Sequence, residues 1–444
     1  MRPSLRLAAA LTVALLSPAL ANADPVGDCH IGAYRLADKS LIDVAPSDGA
    51  ALRWRRADGT TGALHPTASG TWTSTFGWTG RADGKTAVFS DCAAGEIRFD
   101  GQTGHRIGFD VTETQFQGRG VNLAGRLVLP KGSGPVPIVV LIHGSEQDSA
   151  RDFYFLQRLL PAEGVGAFVY DKRGTGGSGG AYSQDFDLLA DDAVAAMREA
   201  RRLAGARAGR VGYQGGSQGG WVAPIAANRA PVDFVIVSFG LAVSVLEEDQ
   251  QEVALEMKLA GHGPEDTAKA LEVAHAAEAI MESGFTDGFA HFDALRTRYR
   301  GEAWYKDLHG NLTRFFLPYD EAELRKRGAA LKGWGTPLRY DPMPTLRADK
   351  TPQLWILGED DLDAPSAETG RLLGGLGREG RPFTLALFPR AEHGLTEYEL
   401  GSGGERVSTR YAPGYFAMMR DFMLTGRLGG PYGAAAITTP RRAN

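Results

Sequence analysis

The sequence predicts an α/β fold, a mostly parallel β-sheet flanked by helices, with a helical insertion and a small N-terminal β unit. From about residue 111 onward, continuous apolar runs of strand length alternate with segments of helical pattern, as in parallel sheets buried on both faces. The alternation stops between residues 241 and 335, where helical segments follow one another. Ahead of it, residues 24–110 carry Asp-Gly pairs between short strand-forming stretches, which predicts hairpins.

Residues 1–23 have the pattern of a secretory signal peptide: two arginines, an apolar stretch and a small-x-small ending. We expect cleavage before Asp24 and a mature protein that is periplasmic or secreted. A membrane anchor is the alternative interpretation, but the apolar stretch is short and is interrupted by Ser17 and Pro18. The pattern therefore predicts export without a stable membrane anchor.

The small β unit, residues 24–110, contains both cysteines of the chain, Cys29 and Cys92. Two cysteines in one small unit of an exported protein predict a disulfide, and two free buried thiols are the alternative. Closing a loop of this length stabilises the fold by about 4 kcal/mol in the chain-entropy model, so we expect a structural bridge. The unit shows no catalytic constellation, which leaves support of the main domain or substrate contact as its role.

The main domain is predicted in two parts, residues 111–240 and 336–424, on either side of a helical cap at 241–335. Six apolar runs are predicted strands: residues 137–144, 165–171, 210–215, 232–240, 353–360 and 383–389. A predicted helix at 185–203 lies between the second and third runs, which gives the βαβ order of a parallel sheet. The Gly-rich residues 425–444 are predicted to form a disordered tail.

The net charge excludes one class of partner. At pH 7 the formal charge is −5, and it becomes −7 without residues 1–23, which carry two arginines and no acid. Because no run of Lys or Arg is present either, the chain has no electrostatic basis for binding nucleic acid.

The motif Gly-x-Ser-x-Gly occurs twice, around Ser178 and around Ser217, and the surroundings separate the two. Ser217 directly follows the predicted strand at 210–215 and precedes a helical segment. A serine in such a turn has a strained backbone, and the flanking glycines let strand and helix approach closely. Ser178 lies in a glycine-rich loop several residues after its strand. We therefore predict Ser217 as the nucleophile, with a structural turn serine as the alternative.

A serine hydroxyl needs a base, usually a histidine that a carboxylate orients. In sheets of this type the three residues follow the chain order Ser, then Asp or Glu, then His. Eight of the nine histidines lie at or before His309. His393, directly after the last predicted strand, is therefore the predicted base.

The acid should follow the strand at 353–360. Four acids do so, and their spacing does not choose among them: Glu359, Asp360, Asp361 and Asp363.

Three motifs give the chain a family resemblance: HGS at 143–145, YDKRGTGGS at 170–178 and GGSQGG at 215–220. From about residue 121 to residue 424 the chain resembles the α/β-hydrolase superfamily, in particular its capped bacterial serine esterases. Prolyl-oligopeptidase-type hydrolases are more distant relatives. In such esterases the acid is commonly the aspartate of a Gly-x-x-Asp turn ahead of a proline. The resemblance therefore implies Asp361, with Asp360 and Asp363 as the alternatives.

Two backbone N–H groups are expected to stabilise the oxyanion. The first belongs to Gln218, the residue after the nucleophile. The resemblance implies Ser145 as the second, on the loop that leaves the first predicted strand, with His143 bracing that loop. Glu146 departs from the small residue that many relatives carry there; it either repels anionic substrates or points into the solvent.

The glycine-rich loop after Lys172 could be taken for a phosphate cradle. Lys172 precedes the glycines, however, and this order is not that of a P-loop. The resemblance implies instead that the loop shapes a wall of the site. No His-Glu-x-x-His motif and no paired Cys-x-x-Cys motif occurs, so we expect no metal and no other cofactor.

These residues together predict an exported carboxylesterase that cleaves a small-molecule ester through an acyl-enzyme. A peptidase or amidase, a thioesterase and a non-catalytic binding protein on the same scaffold are the alternatives. Large apolar residues of the cap, such as Met257 and Trp304, are expected to form the cap's own core. With an ordinary imidazole pKa at the base, we expect activity to fall as the pH drops through about 6 to 7.

Overall fold

In the computed structural model, which describes residues 28–440, the N-terminal β unit is a closed antiparallel barrel. Its strands are β1 (Gly32–Leu36), β2 (Leu41–Pro46), β3 (Leu52–Arg56), β4 (Thr61–Pro66), β5 (Trp72–Thr75), β6 (Ala82–Phe89), β7 (Glu96–Phe99) and β8 (Gln102–Arg106). Asp-Gly turns join strands as expected: Gly59, between β3 and β4, has a φ of +92° that residues with side chains rarely adopt. The predicted signal peptide, residues 1–23, lies outside the described residues.

The barrel is held by its own core and by a covalent bond. Trp54 and Phe99 are buried inside it, with ring centroids 5.0 Å apart. Cys29, just before β1, is bonded to Cys92 in the β6–β7 turn, and the two Cα atoms lie 5.4 Å apart. The structure thus contains the predicted disulfide, which ties the start of the unit to the turn between β6 and β7.

The main domain is built on a nine-stranded sheet within residues 28–440, in the order β20-β16-β15-β14-β13-β11-β12-β10-β9. The remaining strands of the chain are β9 (Phe109–Gln117), β10 (Asn122–Pro130), β11 (Val136–Ile142), β12 (Gly166–Tyr170), β13 (Ala208–Gly216), β14 (Phe234–Ser238), β15 (Gln353–Gly358), β16 (Phe383–Phe388), β17 (Ala391–Glu392), β18 (Thr396–Leu400), β19 (Arg406–Tyr411) and β20 (Ala436–Thr438). The six central strands, β11 to β16, run parallel, while β9, β10 and β20 add antiparallel edges. All six predicted runs are central strands, and the mostly parallel sheet is confirmed.

The prediction of a disordered tail at 425–444 is wrong for the part that the structure describes, up to residue 440. Tyr432 is buried, and its hydroxyl donates to Asp421 at 2.8 Å. Beyond it, β20 pairs with the edge strand β16. A three-residue strand at a sheet edge needs only backbone hydrogen bonds, so it leaves little hydrophobic pattern in the sequence.

Helices cover both faces of the sheet and form the cap. They are α1 (Ala150–Phe153), α2 (Leu156–Ala162), α3 (Phe186–Ala204), α4 (Gly219–Arg229), α5 (Val245–Leu259), α6 (Pro264–Glu282), α7 (Phe289–Tyr299), α8 (Thr313–Phe316), α9 (Glu321–Leu331), α10 (Met343–Ala348), α11 (Ser366–Arg378) and α12 (Tyr415–Thr425). The cap comprises α5 to α9, and its first helix begins at a capping box of Ser244 and Glu247. Met257 and Trp304 lie in a core of the cap itself, as expected. Among the helices of residues 28–440, none has the length and apolar character needed to cross a membrane.

The sheet separates two cores and presents one functional edge. Along β14, Val235 and Val237 pack with the helices on one face, whereas Phe234 and Ile236 pack with α12 on the other. The carboxyl ends of the parallel strands meet at a single edge below the cap. In parallel α/β sheets this edge is where ligands bind, and the loops after β11, β13, β15 and β16 carry the predicted site residues.

Candidate active site

Ser217 occupies a sharp turn between β13 and α4. Its φ is +52°, in the left-handed region that a serine rarely adopts. The close turn requires residues without side chains, because a Cβ on Gly215 would lie 2.5 Å from the carbonyl oxygen of Gly219. The N–H of Ser217 donates to the carbonyl oxygen of Ser238 at 3.1 Å, which fixes the turn against β14. The strand, the strained serine and the helix therefore form the elbow that the sequence context indicated.

Ser178, in the other Gly-x-Ser-x-Gly motif, is bonded within its own loop. Its hydroxyl donates to the carbonyl oxygen of Asp171 at 2.6 Å and accepts from the N–H of Ala124 at 2.9 Å. Both bonds join the loop to β10 and β12, so the serine has a structural partner on each side.

His393 and Asp361 meet above the sheet edge. The Nδ1 atom of His393 lies 3.1 Å from Oδ2 and 3.3 Å from Oδ1 of Asp361. The carboxylate is 1% exposed and also accepts the N–H groups of Asp363 and Ala364. Phe239 packs edge-on against the imidazole, with centroids 4.8 Å apart. The carboxylate thus orients the ring and leaves Nε2 free of it.

The other acids of this loop have different surroundings. Asp360 accepts a hydrogen bond from the hydroxyl of Tyr398 at 2.8 Å. Asp363 lines the cavity beside His393 and acts on it through charge. Of the predicted candidates for the acid, Asp361 is the one placed at Nδ1.

The pKa of His393 differs from the sequence expectation. Burial disfavours the charged ring, but the attraction of Asp361, reinforced by Asp363 and Glu248, outweighs it and raises the pKa to about 9. His393 therefore becomes neutral at a higher pH than an unperturbed imidazole does. Activity should accordingly be lost at a higher pH than the 6 to 7 expected from the sequence.

The predicted oxyanion donors lie on two converging segments. Gln218 begins α4, so its N–H sits at the positive end of a helix dipole. Ser145 lies on the loop after β11 and lines the same cavity as Ser217. Among the hydrogen bonds of residues 28–440, neither N–H has a protein acceptor. Both are thus available to a ligand.

The loop that carries Ser145 is held by donors to three consecutive carbonyl groups. Lys172 donates to the carbonyl oxygen of Gly144 at 2.5 Å and to that of Glu146 at 3.2 Å. Between them, the hydroxyl of Tyr182 donates to the carbonyl oxygen of Ser145 at 2.5 Å. Because all three carbonyl groups accept hydrogen bonds from these donors, the loop is fixed in one orientation.

Lys172 also reaches the second segment. Its ammonium lies 3.4 Å from Oε1 of Gln218 and 4.9 Å from the ring centroid of Tyr182. The side chain is 1% exposed, and this burial lowers its pKa to about 8, against the opposing attraction of Glu146. The lysine of the glycine-rich loop therefore contacts the oxyanion segments, which is the wall-shaping role that the resemblance implied.

His143 and Glu146 brace the same loop. Nε2 of His143 is hydrogen-bonded to the carbonyl oxygen of Tyr170, and burial together with the charge of Lys172 lowers its pKa to about 4. The ring is therefore neutral. Glu146 accepts a hydrogen bond from the hydroxyl of Tyr154. Its carboxylate is thus bonded inside the site. Of the two expectations for Glu146, a side chain that points into the solvent is therefore not the one found.

Two cavities meet at Ser217. The small chamber, about 90 Å³, lies toward the cap and is lined by the carboxyl groups of Glu248, Asp249, Glu252 and Asp363. Burial is the largest effect on Glu248 and raises its pKa to about 8. The carboxylates of Asp249 and Glu252 accept hydrogen bonds from the turn at 311–313. Asp249 accepts the N–H of Leu312 at 2.7 Å, and Glu252 accepts the side-chain amide of Asn311 at 2.8 Å. The chamber is thus bordered by four carboxyl groups and has room for roughly three water molecules.

The large chamber, about 690 Å³, extends from Ser217 and His393 away from the cap carboxylates. Seven aromatic residues contribute to its wall: Phe153, Tyr154, Phe155, Phe239, Trp334, Tyr411 and Tyr415. The two chambers share Ser145, Gln184, Ser217 and His393. The nucleophile therefore stands between a spacious apolar chamber and a small acidic one.

Sequence reasoning missed Tyr182, Phe239 and Glu248 as parts of the site. Phe239 has a φ of +43°, which is strained for an aromatic residue, and its ring lies beneath Gly216 and beside His393. No motif marks these residues, because each reaches the site from a different loop or from the cap.

A family model described as serine aminopeptidase, S33, matches residues 133–280, a span that includes Ser145 and Ser217. No curated protein matches the sequence. The match covers about a third of the chain, and the strand order and the elbow are those of an α/β-hydrolase fold. A serine at the elbow and a His–Asp pair on the neighbouring loops form the arrangement that serine hydrolases use.

Solved structures align with this chain at low identity. An esterase from Pyrococcus furiosus is 15% identical, with 64% of this chain and 84% of that chain covered and a TM-score of 0.40. An esterase from Thermogutta terrifontis is 18% identical, with 64% and 91% covered and a TM-score of 0.36. An acylaminoacyl peptidase from Pyrococcus horikoshii is 14% identical over 82% of this chain, with a TM-score of 0.38, and the alignment covers 52% of its length. The choice of activity therefore depends on the site and not on these neighbours.

Proposed function

We propose that the protein is an exported carboxylesterase that works through an acyl-enzyme. The observation that carries the proposal is the placement of Ser217, on a strained elbow, in one cavity with a His393 ring that Asp361 holds at 3.1 Å. Ser217 is the nucleophile, His393 the base and Asp361 its orienting acid. The disulfide between Cys29 and Cys92 supports an oxidising compartment and thus a periplasmic or secreted location.

The reaction uses the two nitrogens of His393 differently. Nδ1–H is held by Asp361, so Nε2 takes the proton of Ser217 as Oγ attacks the ester carbonyl. The tetrahedral intermediate collapses, the bond to the alcohol oxygen breaks, and the imidazolium returns the proton to the leaving alkoxide. Water then attacks the acyl-enzyme, gives a proton to Nε2, and releases the acid as Ser217 recovers its hydroxyl proton.

The negative charge of each tetrahedral intermediate falls on the N–H groups of Gln218 and Ser145. Lys172 and Tyr182 act as positioning residues, because their bonds to three successive carbonyls aim the Ser145 N–H at the cavity. The buried ammonium of Lys172 adds a positive charge beside the oxyanion. Such preorganised groups act without rearrangement during the reaction.

The two motif serines provide the test. Ser217→Ala should abolish hydrolysis of an activated ester such as p-nitrophenyl butyrate, because no other residue supplies the nucleophile. Ser178→Ala, the matched control, should retain most of the activity, since its hydroxyl bonds only backbone groups of Asp171 and Ala124, away from Ser217 and His393. Equal loss of turnover in both variants, at equal thermal stability, would refute the proposal.

An amide hydrolase is the second candidate. The carboxyl groups of Glu248 and Asp363 in the small chamber favour it, because they could hold the amine of an aminoacyl substrate. The family match to a model described as serine aminopeptidase points the same way. Turnover of aminoacyl p-nitroanilides at a kcat/KM above that of matched aminoacyl esters would favour the amidase over the esterase.

A further inference from the structure

The wall of the large chamber is supported from outside by the N-terminal barrel. Two aromatic residues of this wall are Phe155, which directly precedes α2, and Tyr411, the last residue of β19. Their rings lie 5.7 Å apart. Arg55, from strand β3 of the barrel, places its guanidinium 4.2 Å from the ring centroid of Phe155 and donates to the hydroxyl of Tyr411 at 3.2 Å. One barrel side chain therefore holds two wall residues of the chamber.

A second barrel residue anchors the same region. Asp43, fully buried on β2, lies 3.9 Å from Arg55 and accepts from Arg158 of α2 at 2.7 Å. Arg158 follows Phe155 by one helical turn, so the carboxylate pins the helix that carries the wall residue. A buried carboxylate between two guanidinium groups is satisfied only if barrel and helix keep their relative position. The contact is thus rigid rather than a loose packing of surfaces.

Backbone contacts close the interface on the other side. The N–H of Tyr411 donates to the carbonyl oxygen of Gly59 at 2.9 Å, and that of Trp78 donates to Ser408 at 2.9 Å. Trp78 also packs edge-on against Tyr411, with centroids 5.6 Å apart. Tyr411 is therefore fixed by the barrel through its backbone, its ring and its hydroxyl.

We propose that the large chamber binds a bulky, uncharged apolar group of the ester, and that the barrel sets the chamber's size limit through Arg55. The inference rests on the proposed esterase function and adds to it the substrate class and a role for the N-terminal unit. A cavity of about 690 Å³ is in the range that holds drug-sized groups, and its aromatic lining favours groups without charge. The small chamber, at about 90 Å³, restricts the other side of the ester to a few atoms.

The size preference follows from burial of apolar surface. Each methylene that enters the chamber should raise kcat/KM roughly fourfold, until the chamber is full. Esters that carry a carboxylate on the bulky side should be poor substrates, because the aromatic wall offers little to a charged group.

Two ester panels on the full mature chain test the inference. One varies the acyl group of methyl esters from acetate through butyrate, hexanoate and octanoate to benzoate. The other varies the alcohol of acetate esters over the same range of sizes, so that the two panels tell on which side of the ester the bulky group lies. We expect kcat/KM to rise with size in one panel and to stay flat or fall in the other. A flat or falling profile in both panels would overturn the inference.

Variants distinguish an effect on the chamber wall from a general loss of stability. Arg55→Met removes the guanidinium from Phe155 and Tyr411 and should reduce kcat/KM for the largest good substrate about tenfold relative to acetate. Arg55→Lys, which keeps the charge but lacks the planar group, should restore part of that ratio. Arg56→Met is the matched control: Arg56 is adjacent on β3 and faces Phe99 inside the barrel at 5.6 Å. If kcat/KM depends on ester size in Arg55→Met as it does in the wild type, the proposed role of the barrel is refuted.

A third variant keeps the inference testable if Arg55→Met does not fold. Phe155→Ala acts directly on the wall, and should move the optimum toward larger groups. An unchanged optimum would count against the chamber. Failure of the proposed function would look different, because wild type and Ser217→Ala would then hydrolyse acetate equally or not at all.

Discussion

Removal of a single hydroxyl group should show how the oxyanion loop is held. In Tyr182→Phe the ring, whose centroid lies 4.9 Å from the ammonium of Lys172, stays in place, and two hydrogen bonds of the hydroxyl are deleted. One is donated to the carbonyl oxygen of Ser145, and the other is accepted from Nε2 of Gln184 at 2.8 Å. The perturbation is thus confined to Ser145 and Gln184.

The size of the effect follows from the carbonyl that loses its donor. A buried polar group without a partner costs about 1 to 3 kcal/mol, and the Ser145–Glu146 peptide, which contains this carbonyl, can recover part of it only by turning. If that turn also rotates the adjoining Gly144–Ser145 peptide and moves the Ser145 N–H away from the oxyanion, the cost appears in the transition state and kcat falls about 5- to 150-fold. Loss of a whole oxyanion donor, about 10² to 10³ in kcat, is the upper bound.

The assay is steady-state kinetics on one activated ester, at the same pH for every variant. KM should change little, because the N–H acts on charge that develops only in the transition state. Tyr340→Phe is the matched control, since it deletes a hydroxyl of similar burial that bonds Thr345 at 2.7 Å. Equal kcat values in the two variants, with equal losses of thermal stability, would refute the positioning role of Tyr182.

Three further predictions concern the acid, the base and the disulfide. Asp361→Asn should reduce kcat by about 10⁴ with the fold intact, because the amide cannot hold the correct tautomer of His393, while Asp363→Asn should keep most of the turnover; kinetics of both variants at one pH decide. Burial lowers the pKa of His393, but the attraction of Asp361 outweighs burial and raises the pKa to about 9. Because only the neutral ring accepts a proton, kcat/KM should rise with pH, with a midpoint near 9. A midpoint near 6.5 in the pH profile would contradict the buried ion pair. Cys29 and Cys92 should resist alkylation without reductant, and reduction should lower the unfolding free energy by about 4 kcal/mol; intact mass and denaturant titration measure both.

The central sheet was predictable because its strands are buried on both faces and leave continuous apolar runs in the sequence. The β9–β10 hairpin was missed as strands, since β9 has exposed residues along most of its length and no such run. Asp-Gly turns indicated hairpins in the N-terminal unit, but closure into a barrel depends on the pairing of β1 with β8, which no local pattern reveals. The tail was misjudged because β20 contributes three backbone-paired residues and little buried surface.

The site was predictable where chain order and local geometry determine it. Ser217 follows from a strand, glycines and a helix in sequence, and His393 from its place after the last strand. Asp361 needed a family resemblance, because four acids share its loop. The contacts of Lys172 and Tyr182 with the loop at 144–146 join segments far apart in the chain, and only the folded structure brings them together.

Covalent labelling of the nucleophile tests the central claim most directly. Trypsin releases residues 211–229 as one peptide, in which Ser217 is the single serine, and residues 174–198 as another, which contains Ser178. After treatment of the mature protein with a fluorophosphonate, we expect complete loss of esterase activity and one phosphonyl adduct, on Ser217 in peptide 211–229. An adduct on peptide 174–198, or full inactivation with peptide 211–229 unmodified, would contradict it.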